Sequence, residues 1–303
     1  MTAASDPAVS DVVDLRTTPG AVEIDRDALR VAGPDAVDYL QGQLSQDVAA
    51  LAVGATAWSF VLQPAGKVDA WLRVTRTGDD ALVLDVDGGH GEAVVARLRR
   101  FLLRTKADVD ALAWRCIAVR GPGAGEATSG AAAEVAAPAG WPGVEGVDLL
   151  GPQVQAPDGV AVVGRPAYDS LRVRCGVPLM GAELSEATIP AEMGQWVIDQ
   201  AVSFTKGCFT GQELVARIDS RGGNVPRRLR GLVVTGDRAP AVGAAVVVDG
   251  AEVGQVASVA PRPGGGSVAL AIVRRGVSPP AVAQVGVAGG ELAATVVDLP
   301  IES

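Results

Sequence analysis

A chain of 303 residues with 48% apolar content can build two or three domains with real cores, and at 4% aromatic content those cores must be filled by Val, Leu and Ala. A net charge of −9 and an isoelectric point near 4.7 oppose general binding to phosphate backbones. One histidine (His90) and three dispersed cysteines (Cys116, Cys175, Cys208) exclude a His-based hydrolase, a zinc site and a four-thiolate iron–sulfur site within the chain, so no metal ligands are expected.

Residues 1–21 read as a flexible N-terminus. Met1–Ser10 are polar with no apolar core, and no stretch reaches the roughly 18 apolar residues of a membrane span. The expectation is a cytoplasmic protein with free thiols and no membrane contact. Residues 22–32 predict a short β-hairpin, after which Gly33-Pro34 opens a helix carrying Val37, Leu40 and Leu44. Strands are expected at 57–62, 70–76 and 81–86, with a turn at Gln63–Lys67. A helix over about 92–103 follows, then a strand near Trp114–Val119. Arg97, Arg99, Arg100, Arg104 and Lys106 form either a basic patch or a solvated helix face. Residues 121–160 are rich in Gly, Ala and Pro and read as a linker or loop. Ordered structure resumes at Val160–Val163 and Tyr168–Cys175, and a helix is expected from Pro190 to Asp199. From Leu229 the pattern is short strands only, with Asp249-Gly250 as a hairpin turn, so 230–303 reads as a small β-barrel.

The chemistry concentrates in Lys206-Gly207-Cys208-Phe209-Thr210-Gly211-Gln212-Glu213. Thr210 and Glu213 have capping-box spacing, which starts a helix at Gly211 with Leu214, Val215 and Ile218 on its buried face. A helix terminus and Lys206 close to Cys208 both favour a reactive thiolate; a cysteine buried as a small hydrophobe in a tight turn fits the same residues. Arg217 and Arg221, four apart, could clamp a carboxylate or simply be solvated. Glu192, in the first turn of its helix, could accept two parallel N–H bonds from an amidine-like ring edge, or merely favour the helix dipole.

The octapeptide at 206–213 resembles the signature K-G-C-[FY]-x-G-Q-E of the YgfZ family. Gly33–Val48, Gly66-Lys67 and Arg174–Pro178 are similar to further blocks of that family in the same order. The resemblance implies an α+β fold of the glycine-cleavage T-protein type. It is a cloverleaf around a central opening, with a C-terminal β-barrel. In that fold 22–120 is the folate-binding α+β portion and 161–229 a second α+β portion carrying the motif. It implies tetrahydrofolate as cofactor, Cys208 and Lys206 as the working pair, and Glu192, Tyr168, Gln212, Arg217 and Arg221 as folate contacts. It also implies iron–sulfur client proteins or assembly factors as partners, some of them enzymes that modify tRNA, with no direct nucleic-acid contact. T-proteins carry an Asp-Asp pair on the strand after the glycine turn, and the matching positions here are Ala70 and Trp71. A classical enzyme is therefore not expected. A folate-dependent aminomethyltransferase is the alternative, with Asp69 re-aimed by a bulge as its acid. Arg26 stands where that family can carry tryptophan.

Overall fold

A computed structural model describes residues 12–236, 238–287 and 290–302. Strands β1 (Gly20–Ile24) and β2 (Arg26–Ala32) are separated by Asp25 alone, and the expected hairpin does not form. A hairpin needs at least two residues to reverse the chain. Here the two strands enter different sheets: β1 pairs with β7 (Arg115–Arg120), and β2 lies between β5 (Ala81–Asp87) and β6 (Asp108–Leu112).

The first sheet has the order β3-β4-β5-β2-β6, with β3 spanning Thr56–Leu62 and β4 spanning Val68–Gly78. Helices α1 (Ala36–Gln43) and α2 (Gly91–Arg99) cover one face, over a core that includes Leu29, Leu40, Leu72, Leu84 and Leu98. The first helix begins at Ala36, so Pro34 stands before it rather than at its first position. The opposite face presents Trp58, Phe60 and Trp71 to the centre of the molecule.

The stretch expected as a linker or loop is mostly irregular but carries elements of its own. Residues 121–160 hold a short helix α3 (Ala124–Ala127) and the strands β8 (Val135–Pro138) and β9 (Gly146–Gly151), in a second sheet of order β1-β7-β9-β8. Small residues suffice because the buried positions of β8, Val135 and Ala137, need little volume. Pro138 is tolerated because β8 is an edge strand. Helix α4 (Arg165–Cys175) follows and ends on Gly176, whose φ of 73° makes the left-handed cap.

The helix expected over 190–199 is broken. A 3₁₀ turn spans Pro190–Met193, Gly194 takes φ 103°, and α5 covers Gln195–Ala201. Helix α6 (Gln212–Asp219) then leads to the barrel. Six strands close it: β10 (Arg227–Val234), β11 (Ala245–Val248), β12 (Ala251–Pro261), β13 (Ser267–Arg274), β14 (Ala281–Val287) and β15 (Gly290–Val297). Closure leaves no free sheet edge. Asp249 and Gly250 both have positive φ, as a two-residue hairpin turn of this type requires. Among the described residues no helix is long and apolar enough to cross a membrane.

Candidate functional site

Three segments far apart in sequence meet where α1 ends. Lys206 Nζ donates to the carbonyls of Gln41, Leu44 and Gln46 at 2.6, 2.7 and 2.8 Å. These are carbonyls at the C-terminus of α1, where a cation is favoured by the helix dipole. Burial pulls the Lys206 pKa down to about 8, opposed by the carboxylate of Asp47. Thr210 N–H donates to the Gly42 carbonyl at 3.1 Å, and Ser203 N–H to that of Ser45 at 3.0 Å. Lys206 thus holds the motif loop to α1. All three of its hydrogens are engaged there, on backbone carbonyls and not on Cys208.

Gly66 and Gly211, one from each motif block, lie back to back. Both have left-handed φ, at 77° and 81°. A Cβ on Gly66 would come within 2.4 Å of Leu214 Cβ; one on Gly211 would come within 2.5 Å of the Gln63 carbonyl oxygen. The two glycines are therefore demanded twice over, by conformation and by space.

Cys208 is free and exposed. Helix α6 starts at Gln212 with Gly211 as its N-cap, so Cys208 lies three residues outside the helix and beyond the reach of its dipole. The expected capping box does not form, because Gly211 rather than Thr210 occupies the cap and no side chain bonds there. Gln212 instead accepts from Phe209 N–H through Oε1 at 3.1 Å, closing the turn that follows the cysteine. Of the expected apolar face only Val215 is buried, while Leu214 and Ile218 are half-buried. Arg217 is exposed on α6, and Arg221 lies in the turn after Asp219, where the helix has already ended.

Glu192 is 1% exposed and its carboxylate is fully engaged. Oε1 accepts from Arg227 Nε at 3.0 Å; Oε2 accepts from Arg227 Nη2 and from Ile189 N–H, both at 3.1 Å. The guanidinium forms a two-pronged pair with it. A pterin would present the same pattern of two parallel N–H donors. Arg227, 46% exposed, has room to yield its place. The acceptor pair at Glu192 thus matches the donor pattern of a pterin edge.

At the centre, Trp71 stacks on Trp58 at 4.6 Å and 19°, with Phe60 at 4.9 Å and Trp196 at 6.3 Å. A bulge in β4 falls where Asp69 sits, since Val61 pairs with Ala70 and Leu62 with Val68. The bulge does not turn Asp69 toward the centre: its carboxylate takes Arg97 Nε at 3.0 Å, on the side of α2. Arg97 is thereby tied down and Arg99 bonds the Val109 carbonyl, which takes two members out of any basic patch on this segment.

Beside the tryptophans runs an ion network that sequence reading missed. Arg26 donates to Asp85 and Asp87, Arg73 to Asp85 and Asp148, and Arg120 to Asp148. It bridges the two sheets and, Asp87 apart, is buried. Burial works against the charge on Asp148, but Arg120 and Arg73 hold its carboxyl well below the usual range. The signal was available: Arg73, Asp85 and Asp148 each have apolar neighbours on both sides within their strands.

Tyr168 belongs to this region and not to the motif. It is buried, 5.2 Å from Trp141, with Arg120 and Arg165 on its ring at 5.5 and 5.3 Å. Burial pushes its hydroxyl up to about 12. It lines a recess of about 170 Å³ with Asp25, Asp87, Arg165 and Met180, and this recess includes neither Glu192 nor any motif residue. The expected folate contacts thus fall into two places, Glu192 with α6 and Tyr168 with the ion network.

Comparison with known proteins gives a consistent pattern. The GCVT N-terminal domain matches residues 5–139, and the glycine cleavage T-protein C-terminal barrel domain matches residues 227–301. An uncharacterized protein of Haemophilus influenzae is 31% identical over 197 residues, covering 65% of this chain and 67% of its own length. An aminomethyltransferase of Streptomyces avermitilis is 29% identical, covering 86% and 79%, and one of Herpetosiphon aurantiacus 30% identical, covering 78% and 67%. The crystal structure of the glycine cleavage system aminomethyltransferase T from Bartonella henselae superposes with a TM-score of 0.75 at 22% identity. It covers 95% of this chain and 87% of that one, and so shares the fold.

Proposed function

We propose that this chain, which belongs to the glycine cleavage T-protein family, is a tetrahydrofolate-binding protein that supports iron–sulfur cluster assembly or repair through Cys208 and does not transfer aminomethyl groups. The observation that carries this reading is Trp71. Where the T-proteins that the chain resembles keep a carboxylate pair, it has Ala70 and an indole locked in an aromatic stack. The neighbouring carboxylate, Asp69, faces the other way and is neutralised by Arg97. The carboxylates that line the cavity beside Trp71, Asp87 and Asp148, are themselves held by Arg26, Arg73 and Arg120. Cys208, by contrast, is exposed on a loop fixed at both ends by Lys206 and Thr210.

Tetrahydrofolate supplies a reduced pterin and its one-carbon-carrying nitrogens. Glu192 would hold the pterin edge in place of Arg227, and the Ile189 N–H keeps the carboxylate oriented for it. Aminomethyl transfer is the second reading and draws on the aminomethyltransferase relatives. Turnover with the glycine-cleavage partner proteins would establish it and sink the first.

Anaerobic calorimetric titration with tetrahydrofolate tests the binding. We expect one saturable micromolar site, weakened about 10- to 100-fold in Glu192→Gln, as suits one charge-assisted contact. An unchanged affinity removes Glu192 from the site, and no binding at millimolar ligand refutes the folate reading. Cys208→Ala should fold and bind folate normally yet fail to sustain iron–sulfur enzyme activity in cells. An insoluble variant would show the cysteine to be structural.

A further inference from the structure

Arginines gather where α6 hands over to the barrel. Arg227 on β10 lies directly opposite Arg274 on β13, and Arg228 and Arg275 flank them. Like charges directly opposite across a ladder destabilise it. Arg221 joins them from the preceding turn. Arg228 is held by the Gly223 carbonyl and Arg275 by Asn224 Oδ1. Glu192 neutralises Arg227. Among the described residues Arg221, Arg228, Arg274 and Arg275 have no carboxylate within ion-pair distance. In a chain of net charge −9 this is a local reversal of sign, maintained against its own repulsion.

A shallow apolar groove lies between α6 and the 189–198 segment, and Gly223, whose carbonyl holds Arg228, is among its lining residues. Ile218 and Val215 of α6 form one wall, Ile189 and Ile198 the other. Gly223 stands at the arginine end, and Phe204, 48% exposed, is the lining residue from the segment that leads into the motif. Asp219 is the carboxylate among the groove's lining residues.

We infer that this groove and its arginines form a docking surface for an acidic segment of a partner protein, an aliphatic side chain lying in the groove and adjacent carboxylates on the arginines. The inference rests on the reading of Cys208 as the working thiol, because α6 leads from the arginine cluster back to that residue. The partner is polypeptide rather than RNA for two reasons. A polyanion along its length meets the chain's overall negative field, while a short acidic segment meets only the local positive patch. The groove walls are aliphatic, and Phe204 is the one lining residue with a π-face for a base to stack on.

The test uses the full chain and a fluorescent probe peptide of two leucines flanked by glutamates, read by anisotropy. A lysine counterpart and a short single-stranded RNA serve as competitors. We expect the acidic probe to bind, to weaken about tenfold or more between about 0.1 and 0.5 M salt, and to slow alkylation of Cys208. The Arg274→Glu/Arg275→Glu variant should lose at least about tenfold in affinity. Arg221→Glu, in a turn outside the barrel, should weaken binding in the same direction, and urea melts establish that both variants fold. Equal binding of the lysine probe, indifference to the arginine variants, or tighter binding of the RNA overturns the inference. No folate is present in this experiment, so its failure is separate from that of the tetrahydrofolate titration.

Discussion

Asp148→Asn should cost about 3–5 kcal/mol of unfolding free energy, the loss expected when one partner is removed from a buried ion pair. Asp148 is 2% exposed and accepts from Arg120 Nη1 and Arg73 Nη1, both at 2.6 Å. The amide would leave Arg120 with no carboxylate and Arg73 with Asp85 alone, in a region where water cannot take over. Urea unfolding measures it, and a loss below about 1 kcal/mol, the worth of a surface pair, would mean that the network is not a desolvated unit. The same group sets a pH dependence. Its folded pKa lies below the ordinary 3.8, so the unfolded state binds more protons as acid is added. Its contribution is therefore complete above about pH 4 and is lost progressively below it.

Gly211→Ala is the second large effect, at about 2–5 kcal/mol. A left-handed conformation costs a non-glycine residue about 1–2 kcal/mol, and forcing a methyl against packed backbone adds about 1–3. The methyl would sit 2.5 Å from the Gln63 carbonyl oxygen and 2.8 Å from Leu62 Cβ, pushing the cysteine loop off the turn at Gly66. Gly207→Ala is the control. Nothing lies within 4 Å of its added Cβ, and a loss within about 0.5 kcal/mol is expected. Equal losses in both variants would show that the loop is soft and that the glycine contact does not position it.

Strands that are near-continuous buried apolar runs were legible in the sequence. The strands β3, β4 and β5 and the barrel turn at Asp249-Gly250 stand within two residues of expectation, because Val, Leu and Trp mark their inner faces. Strand β8 was hidden, since its Ala residues give little hydrophobic contrast, and β9 was hidden because its short apolar run sits in a Gly-, Ala- and Pro-rich stretch. Strand β6 was hidden for a related reason: only Val109 of its five residues is buried. The motif was legible as a motif but its geometry was not. Lys206 was placed beside Cys208 by sequence proximity, whereas its amine reaches carbonyls of residues 41–46 across more than 150 positions. Glu192 showed as a candidate acceptor, but its partner Arg227 lies in another domain and no local pattern joins them. Pairings of this kind are set by topology, and spacing along the chain does not encode them.

The junction at Asp25 has a consequence for biosynthesis. Among the described residues the strand paired with β1 is β7, made on the order of ninety residues after it. At about 5–20 residues per second, β1 waits about five to twenty seconds with its ladder unmade. Strand β2 waits less, because β5 arrives first. The nascent chain therefore completes its first sheet around β2 while β1, one residue away, still hangs free. That interval is when a chaperone would have the most to hold.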